Sequence, residues 1–411
     1  MDNLTLIRKL PPMLSREELD SALTILPEYD PAVLNEPDAM RLIALTDLYK
    51  IFVPNQMSKE IYCKLYLALL RSLQKKESKL AVQQYMENHK AIKQQDYSGI
   101  LGGADSFTII GASGIGKSSS ITRAIQLLTK EEIIEIEKPN TKIIPCVLVQ
   151  TPFDSSIKGL LFEILRVVDE KIGSKYYANA LRARASTDML IGAVSQVALN
   201  HVGLLVVDEI QHVVNHKNGK SLVSCLTQLI NNTGISICMI GTPESATFFT
   251  QAYQLARRSL GLRYDVMEYG EEFKKLCETL FQFQYVKQRS ELDAAMVQWL
   301  YEHSGGNIST VVALIHDAQE IAIIDGTETL NLDTLKSAYD NRITMLHSYI
   351  APPKKSQTSR TKPNRISIPL VPEKEVENDI SIVVLVQRAK NECREVATFL
   401  QEYITVEEVA I

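Results

Sequence analysis

Short apolar runs and helical stripes alternate through the middle of this chain, and the pattern changes on either side of it. Between residues 105 and 270, four runs of strand length (107–110, 143–150, 203–208 and 235–241) are each followed by a polar turn and a stretch with helical spacing. Runs that are apolar at consecutive positions suit strands buried on both faces, so this region is expected to form a parallel sheet with helices on both sides. Residues 1–100 read as helical, with apolar residues at helical spacing over 41–50 and 58–75 and Pro54 between them; 75–95 is a charged connector with the character of one exposed helix. Beyond residue 271 the pattern is helical throughout, at 273–280, 291–303, 308–324 and 332–345, with Gly and Asn turns between.

The expected organisation is therefore a helical N-terminal module (1–100), an α/β core (101–270) and a helical lid (271–350). A linker (351–379) holding Pro352, Pro353, Pro363, Pro369 and Pro372 with Lys354, Lys355, Arg360, Lys362 and Arg365 follows. That composition does not pack a core. A C-terminal helix (380–411) with an apolar stripe closes the chain, and no internal repeat is present.

The turn after the first apolar run carries the most specific motif. Gly111-Ala112-Ser113-Gly114-Ile115-Gly116-Lys117-Ser118, continuing into Ser119, has glycines and a lysine at the spacing that lets backbone amides wrap a triphosphate. Gly111 and Gly116 permit the tight path, the N–H groups and following helix dipole attract phosphate oxygens, Lys117 neutralises β/γ charge, and Ser118 is placed for Mg²⁺. A strand-like run before it and a helix-like run over 118–129 supply the context the motif requires, against a chance match in a Gly-rich turn. ATP and Mg²⁺ are the expected ligands. Further on, Leu204-Leu205-Val206-Val207-Asp208-Glu209 reads as a buried parallel strand ending in two carboxylates. Asp208 is assigned to Mg²⁺ and Glu209 to polarising the attacking water, although an acidic residue there also suits capping of the next helix.

An α/β core followed by a helical lid resembles the AAA+ arrangement, and that resemblance gives further residues roles. Thr242, after the run 235–241, stands where AAA+ proteins place a polar sensor that orients the water; a strand-terminating Gly-Thr-Pro turn explains it equally. Arg257 and Arg258 stand where a subunit offers an arginine to its neighbour's γ-phosphate, or they form a solvated helix face. The lid turn 304–309, where many AAA+ proteins carry a second sensor arginine, has none, and slow hydrolysis is the expected consequence.

Composition narrows the partners. The 411 residues are 45% hydrophobic and 23% charged, ordinary for a soluble protein of two or three domains, and no stretch approaches a membrane span or a signal peptide's apolar core. A cytoplasmic, membrane-free protein is expected. Six cysteines without CxxC pairs indicate reduced thiols rather than a zinc site or disulfide framework, and His212 and His216, four apart, have no acidic partner to complete a metal set. A formal charge of −5 argues against a surface that coats nucleic acid indiscriminately. Local basic groups remain: Lys171, Lys175, Arg182 and Arg184 before the Asp208 strand, and Lys217 and Lys220 after it. They suit a DNA backbone or, equally, ordinary solvated loops.

The match is closer than generic AAA+. Residues 152–156 (Pro-Phe-Asp-Ser-Ser), Lys158-Gly159-Leu160, Gly173, Tyr176-Tyr177, Val206 through His212, Gly241-Thr242-Pro243-Glu244 and Arg257-Arg258 together resemble the TnsC and TniB ATPases of bacterial transposons, over residues 30 to 345. The segment ending in 48–54 resembles TnsC proteins as well. Such a resemblance implies a regulator of transposition that assembles with ATP into rings or filaments around double-stranded DNA. It receives a target site from a TniQ- or TnsD-type selector and recruits a TnsA/TnsB-type transposase, in some cases with CRISPR effectors. Lys117, Ser118, Asp208, Glu209, Thr242 and Arg257 or Arg258 carry over as nucleotide-site residues; DNA-contacting residues do not. A helicase loader or initiator shares this core, a nucleotide-gated signalling scaffold would assemble without DNA, and a small-molecule P-loop kinase fits the paired carboxylates least.

Overall fold

The computed structural model describes residues 5–77, 106–129, 132–136, 141–152, 156–214, 219–245 and 259–343, all in one compact unit, Met1–Lys354. The linker 351–379, the C-terminal helix, most of the connector 75–95, and Arg257, Arg258, His216 and Lys217 lie outside the described residues.

Six strands form one sheet: β1 (Ser106–Gly111), β2 (Ile134–Ile136), β3 (Thr141–Gln150), β4 (Val202–Asp208), β5 (Ser236–Gly241) and β6 (Ser259–Tyr264). Their order is β2-β3-β4-β5-β1-β6, parallel at every pairing except β2 with β3. Strand β5 thus separates the strand that feeds the phosphate loop from the strand that ends in Asp208. The four apolar runs became β1, β3, β4 and β5. Strands β2 and β6 lie at the edges, and neither was anticipated. In β6, the half-buried Leu262 and Tyr264 alternate with the exposed Gly261 and Arg263, the pattern of an edge strand rather than the continuous run of a central one.

The helices before the sheet are α1 (Thr5–Arg8), α2 (Arg16–Leu23), α3 (Asp38–Leu45) and α4 (Gln56–Glu77). Those within it are α5 (Lys117–Leu128), α6 (Ile157–Ile172), α7 (Tyr176–Arg182), α8 (Thr187–His201), α9 (Gln211–Val214) and α10 (Gly219–Thr233). The lid comprises α11 (Glu271–Phe281), α12 (Ala294–Ser304), α13 (Ile308–Ile324) and α14 (Leu332–Ala338). Strand β4 serves two cores by its pleat. Leu205 and Val207 enter the cluster with Leu161 of α6, Val194 of α8 and Leu229 of α10, while Leu204 and Val206 enter the opposite cluster with Leu65 and Leu69 of α4 and Ile121 of α5. Each such fully buried side chain contributes about 1.5–3 kcal/mol of transfer free energy.

The N-terminal segment packs on two bodies at once. Helices α1, α2 and α4 cover one face of the sheet, whereas α3 and the 3-10 turn Thr46–Lys50 put Leu45 and Leu48 into the lid core with Phe273, Leu300 and Leu314. Arg41 of α3, fully buried, secures the second contact: its guanidinium donates to both carboxylate oxygens of Glu328 (2.7 and 2.6 Å), to Asp38 Oδ1 (2.6 Å) and to the Tyr285 carbonyl (3.0 Å). Cys146, Cys225, Cys238 and Cys277 are buried free thiols. Among the described residues no helix is long and apolar enough to cross a membrane.

Candidate nucleotide site

A cleft of about 400 Å³ opens at the ends of β1, β4 and β5, between the sheet and the lid. The phosphate loop forms its floor. Gly114 and Gly116 hold φ at +80° and +89°, the left-handed region in which an L side chain is strained, and this lets the loop turn into the first turn of α5. Lys117 opens α5, and its ammonium donates to the carbonyls of Gly111 and Ala112, both at 2.7 Å. Burial pulls the Lys117 pKa down from its ordinary value, opposed by Asp208, Glu209 and Glu244.

Two oxygen donors converge beside that lysine. Ser118 Oγ donates to Asp208 Oδ2 at 2.8 Å, and the Asp208 side chain is buried. Thr151, at the end of β3, donates through both N–H and hydroxyl to the Asp208 carbonyl (2.9 and 2.8 Å), so the backbone carrying the carboxylate is held from two sides. A hydroxyl and a carboxylate are the hard oxygen ligands Mg²⁺ takes, so the residues present fit that ion.

Glu209 has φ +58°, uncommon for a residue with a side chain, and its N–H donates to Asp208 Oδ1 at 2.8 Å. The Glu209 side chain is 43% exposed and lines the cleft. Gln211 Nε2 donates to Glu209 Oε2, and Gln211 Oε1 accepts from Thr242 N at 3.3 Å. Thr242 lines the cleft at the end of β5, and its hydroxyl is the largest influence holding the Glu244 carboxyl below the usual range.

The lid closes on the loop through the turn expected to hold a sensor arginine. Asn307 Nδ2 donates to the Ser113 carbonyl at 2.8 Å and Ser309 N–H to the Gly114 carbonyl at 3.0 Å, and Ile308, Ser309 and Val312 line the cleft. Asn307 also caps α13, accepting from Thr310 N. Neutral groups therefore stand here in place of a cation. The N-terminal segment supplies the apolar wall, Leu48, Tyr49, Ile51, Phe52 and Val53. Neither that wall nor Gln211 had a role in the sequence reading; the one signal available was the polar Gln inside the run 206–212.

Residues 113–119, Asp208, Glu209 and Thr242 are thus brought to one cleft, whereas Gly111 and Ala112 do not line it and meet Lys117 through their carbonyls. The basic residues are elsewhere. Lys171 lies in the last turn of α6, Lys175 stands at the N-terminal boundary of α7 without a side-chain cap bond, Arg182 ends α7 and Arg184 follows it at φ +48°. Tyr176 meets His201, the residue before β4 begins, so Lys171 and Lys175 sit toward the end of the sheet opposite the phosphate loop. Lys220 lies in the first turn of α10.

Residues 102–264 match the sequence model of the family described as Bacterial TniB protein. That stretch contains the phosphate loop, Asp208, Glu209, Gln211 and Thr242. No curated protein matches the chain. Among solved structures, the chain is similar to the Aeropyrum pernix Orc1 protein in complex with DNA at 15% identity, covering 61% of this chain and 61% of that one, with a TM-score of 0.43. It is similar to Drosophila ORC bound to DNA at 16% identity, covering 80% and 69%, with a TM-score of 0.43. Domain III of the Thermotoga maritima replication initiation protein DnaA is similar at 14% identity, covering 65% and 92%, with a TM-score of 0.34.

Proposed function

We propose, from the premise that residues 102–264 form a TniB-type AAA+ ATPase core, that this protein is an ATP-hydrolysing, DNA-binding regulator of transposition. It assembles on target duplex DNA and connects a TniQ- or TnsD-type selector to a TnsA/TnsB-type transposase. The observation that carries the reading is the convergence of Lys117, Ser118, Asp208, Glu209 and Thr242 on one cleft inside the matched segment.

Loop amides and Lys117 receive the phosphates. Ser118 and Asp208 would hold Mg²⁺, which neutralises phosphate charge when bound. Glu209 takes a proton from the attacking water, and Thr242 orients that water from the end of β5. Supplying an arginine from a neighbouring subunit, Arg257 or Arg258, would make hydrolysis depend on assembly. The neutral lid turn at Asn307 and Ser309 supports slow turnover, since charge stabilisation from that side is missing. Lys171, Lys175, Arg182, Arg184, Lys217 and Lys220 are assigned to the DNA backbone.

Steady-state ATPase assays with and without duplex DNA test this, with Glu209→Gln as the control. Turnover that rises with DNA and is lost in E209Q while nucleotide binding persists is the expected result. Turnover indifferent to DNA would favour a scaffold that never touches it.

A further inference from the structure

We propose that His316, Asp317 and Glu320 of the lid form a binding site for a divalent transition ion of the Zn²⁺ class, with Arg342 as the cation that such an ion displaces. The three residues are not among those lining the nucleotide cleft, and the site stands or falls independently of the ATPase reading.

All three residues belong to α13, where His316 and Glu320 are about one turn apart and Asp317 precedes Glu320 by three positions, so their side chains are neighbours on the helix surface. Each is half-buried, and one ligating atom from each lies within 4.8 Å of the other two. His316 Nδ1 and Asp317 Oδ1 are 2.9 Å apart. The Tyr49 ring packs on the imidazole with centroids 4.7 Å apart, which limits rotation of the His316 ring. Arg342, in the turn Tyr339–Ile343 after α14, stands 3.2 Å from Asp317 Oδ1 and donates to Glu320 Oε2. One guanidinium therefore neutralises two carboxylates at a place where an imidazole also meets them.

An imidazole with two carboxylates is a mixed nitrogen and oxygen donor set, which suits Zn²⁺ or Co²⁺ better than the all-oxygen sets of Mg²⁺ and Ca²⁺. Ligands about 2.0–2.1 Å from a tetrahedral ion lie roughly 3.3–3.4 Å from one another, so modest side-chain rotations bring the three donors onto an ion and leave a fourth position for water. Charge favours the exchange. Arg342 brings one positive charge to the carboxylates, and its side chain is 37% exposed, a setting in which water competes for both partners of an ion pair. A divalent ion brings two charges and accepts a lone pair from the imidazole, which a guanidinium cannot do. On leaving, the guanidinium passes into water rather than being stranded in the core, and the carboxylates keep a counter-charge throughout.

The experiment titrates Zn²⁺ into the metal-stripped full chain without nucleotide, by calorimetry, and records the visible absorption of Co²⁺ added to the same protein. His316→Ala, Glu320→Gln and Arg342→Ala are compared with the parent, and circular dichroism checks that each is folded. Saturable Zn²⁺ binding by the parent is expected, with affinity lowered about tenfold or more in H316A and E320Q and raised about 2- to 5-fold in R342A, where the competing cation is gone. Co²⁺ is expected to give a ligand-field band that H316A abolishes, without charge transfer from sulfur. Equal affinity in the parent and H316A overturns the proposal, and so does weaker binding in R342A. A Co²⁺ spectrum with thiolate charge transfer overturns it too, since cysteines would then hold the ion. R342A leaves every donor in place, so it tests the site even where H316A loses its fold: no Zn²⁺ uptake by either the parent or R342A reduces the cluster to an ion pair and nothing more.

Discussion

The Ser118 hydroxyl donates to Asp208 Oδ2 across 2.8 Å although 90 residues separate them, and this bond joins the phosphate loop to the strand beyond its neighbour. Under the proposed function these two residues hold one Mg²⁺ and should fail together. Ser118→Ala and Asp208→Asn are each expected to lower ATP turnover by about 100-fold or more, with the double variant little worse than either single one, because groups acting as a unit are not additive. Steady-state ATPase assays over a Mg²⁺ titration check this; additive losses would separate their roles.

Gly114 meets the lid at close quarters. A Cβ there would meet Ser309 Oγ and lie 2.5 Å from Asn307 Oδ1, on a backbone held at φ +80°. Gly114→Ala is therefore expected to push the lid turn off the loop and weaken nucleotide binding by about tenfold or more, a loss of ~1.4 kcal/mol. Asn307→Ala, which removes the bond to the Ser113 carbonyl along with those from Ser309 Oγ and Thr310 N but introduces no clash, should weaken nucleotide binding less, by about 1 kcal/mol. Titration with a fluorescent ATP analogue ranks the two.

The Arg41–Glu328 pair fastens the N-terminal segment to the lid. Glu328 has its pKa lowered to about 2 from 4.5, chiefly by the hydrogen bonds from Arg41. A lowered carboxylate pKa contributes stability that is present above the unfolded value and lost as pH falls from 4.5 toward 2. Glu328→Gln leaves the fully buried guanidinium with the exposed Asp38 carboxylate as its remaining charge partner and is expected to cost about 3 kcal/mol at neutral pH. Urea unfolding at pH 7 and pH 3.5 measures both effects, the variant losing less on acidification than the parent.

Lys76 acts with the same sign in a higher pH window. Its ammonium donates to the Ala198 carbonyl at 3.0 Å and to the Leu199 carbonyl near the end of α8, and burial pulls its pKa down from 10.5 to about 7. Between those values the unfolded chain binds a proton that the folded chain does not, so this group makes stability rise with pH from 7 upward. Lys76→Met is expected to flatten the slope of unfolding free energy between pH 7 and pH 9. Parallel slopes in the two proteins would contradict it.

The central strands and the phosphate loop were legible because their signals are local. Residues 203–208 and 235–241 are apolar at consecutive positions, as strands buried on both faces must be, and 111–118 repeats a spacing dictated by phosphate geometry. What escaped depends on distant partners. Strand β6 is an edge strand that lacks a continuous apolar run, and β2 is three residues long. Leu48, Ile51 and Val53 had no role in the sequence reading, because their place in the cleft wall depends on the lid beside them, and nothing local marks Arg41 for burial, since its partner Glu328 lies 287 residues away. Gln211 was visible in the run 206–212, but its bridge exists because β5 lies next to β4, a neighbour relation that spacing along the chain does not reveal.

Electron microscopy of the purified protein with duplex DNA, comparing a non-hydrolysable ATP analogue with ADP, tests the central claim most directly. Rings or filaments on DNA with the analogue and none with ADP are the predicted result. Particles that ignore DNA in both nucleotide states would contradict it and remove Lys171, Lys175, Arg182, Arg184, Lys217 and Lys220 from any role at a DNA backbone.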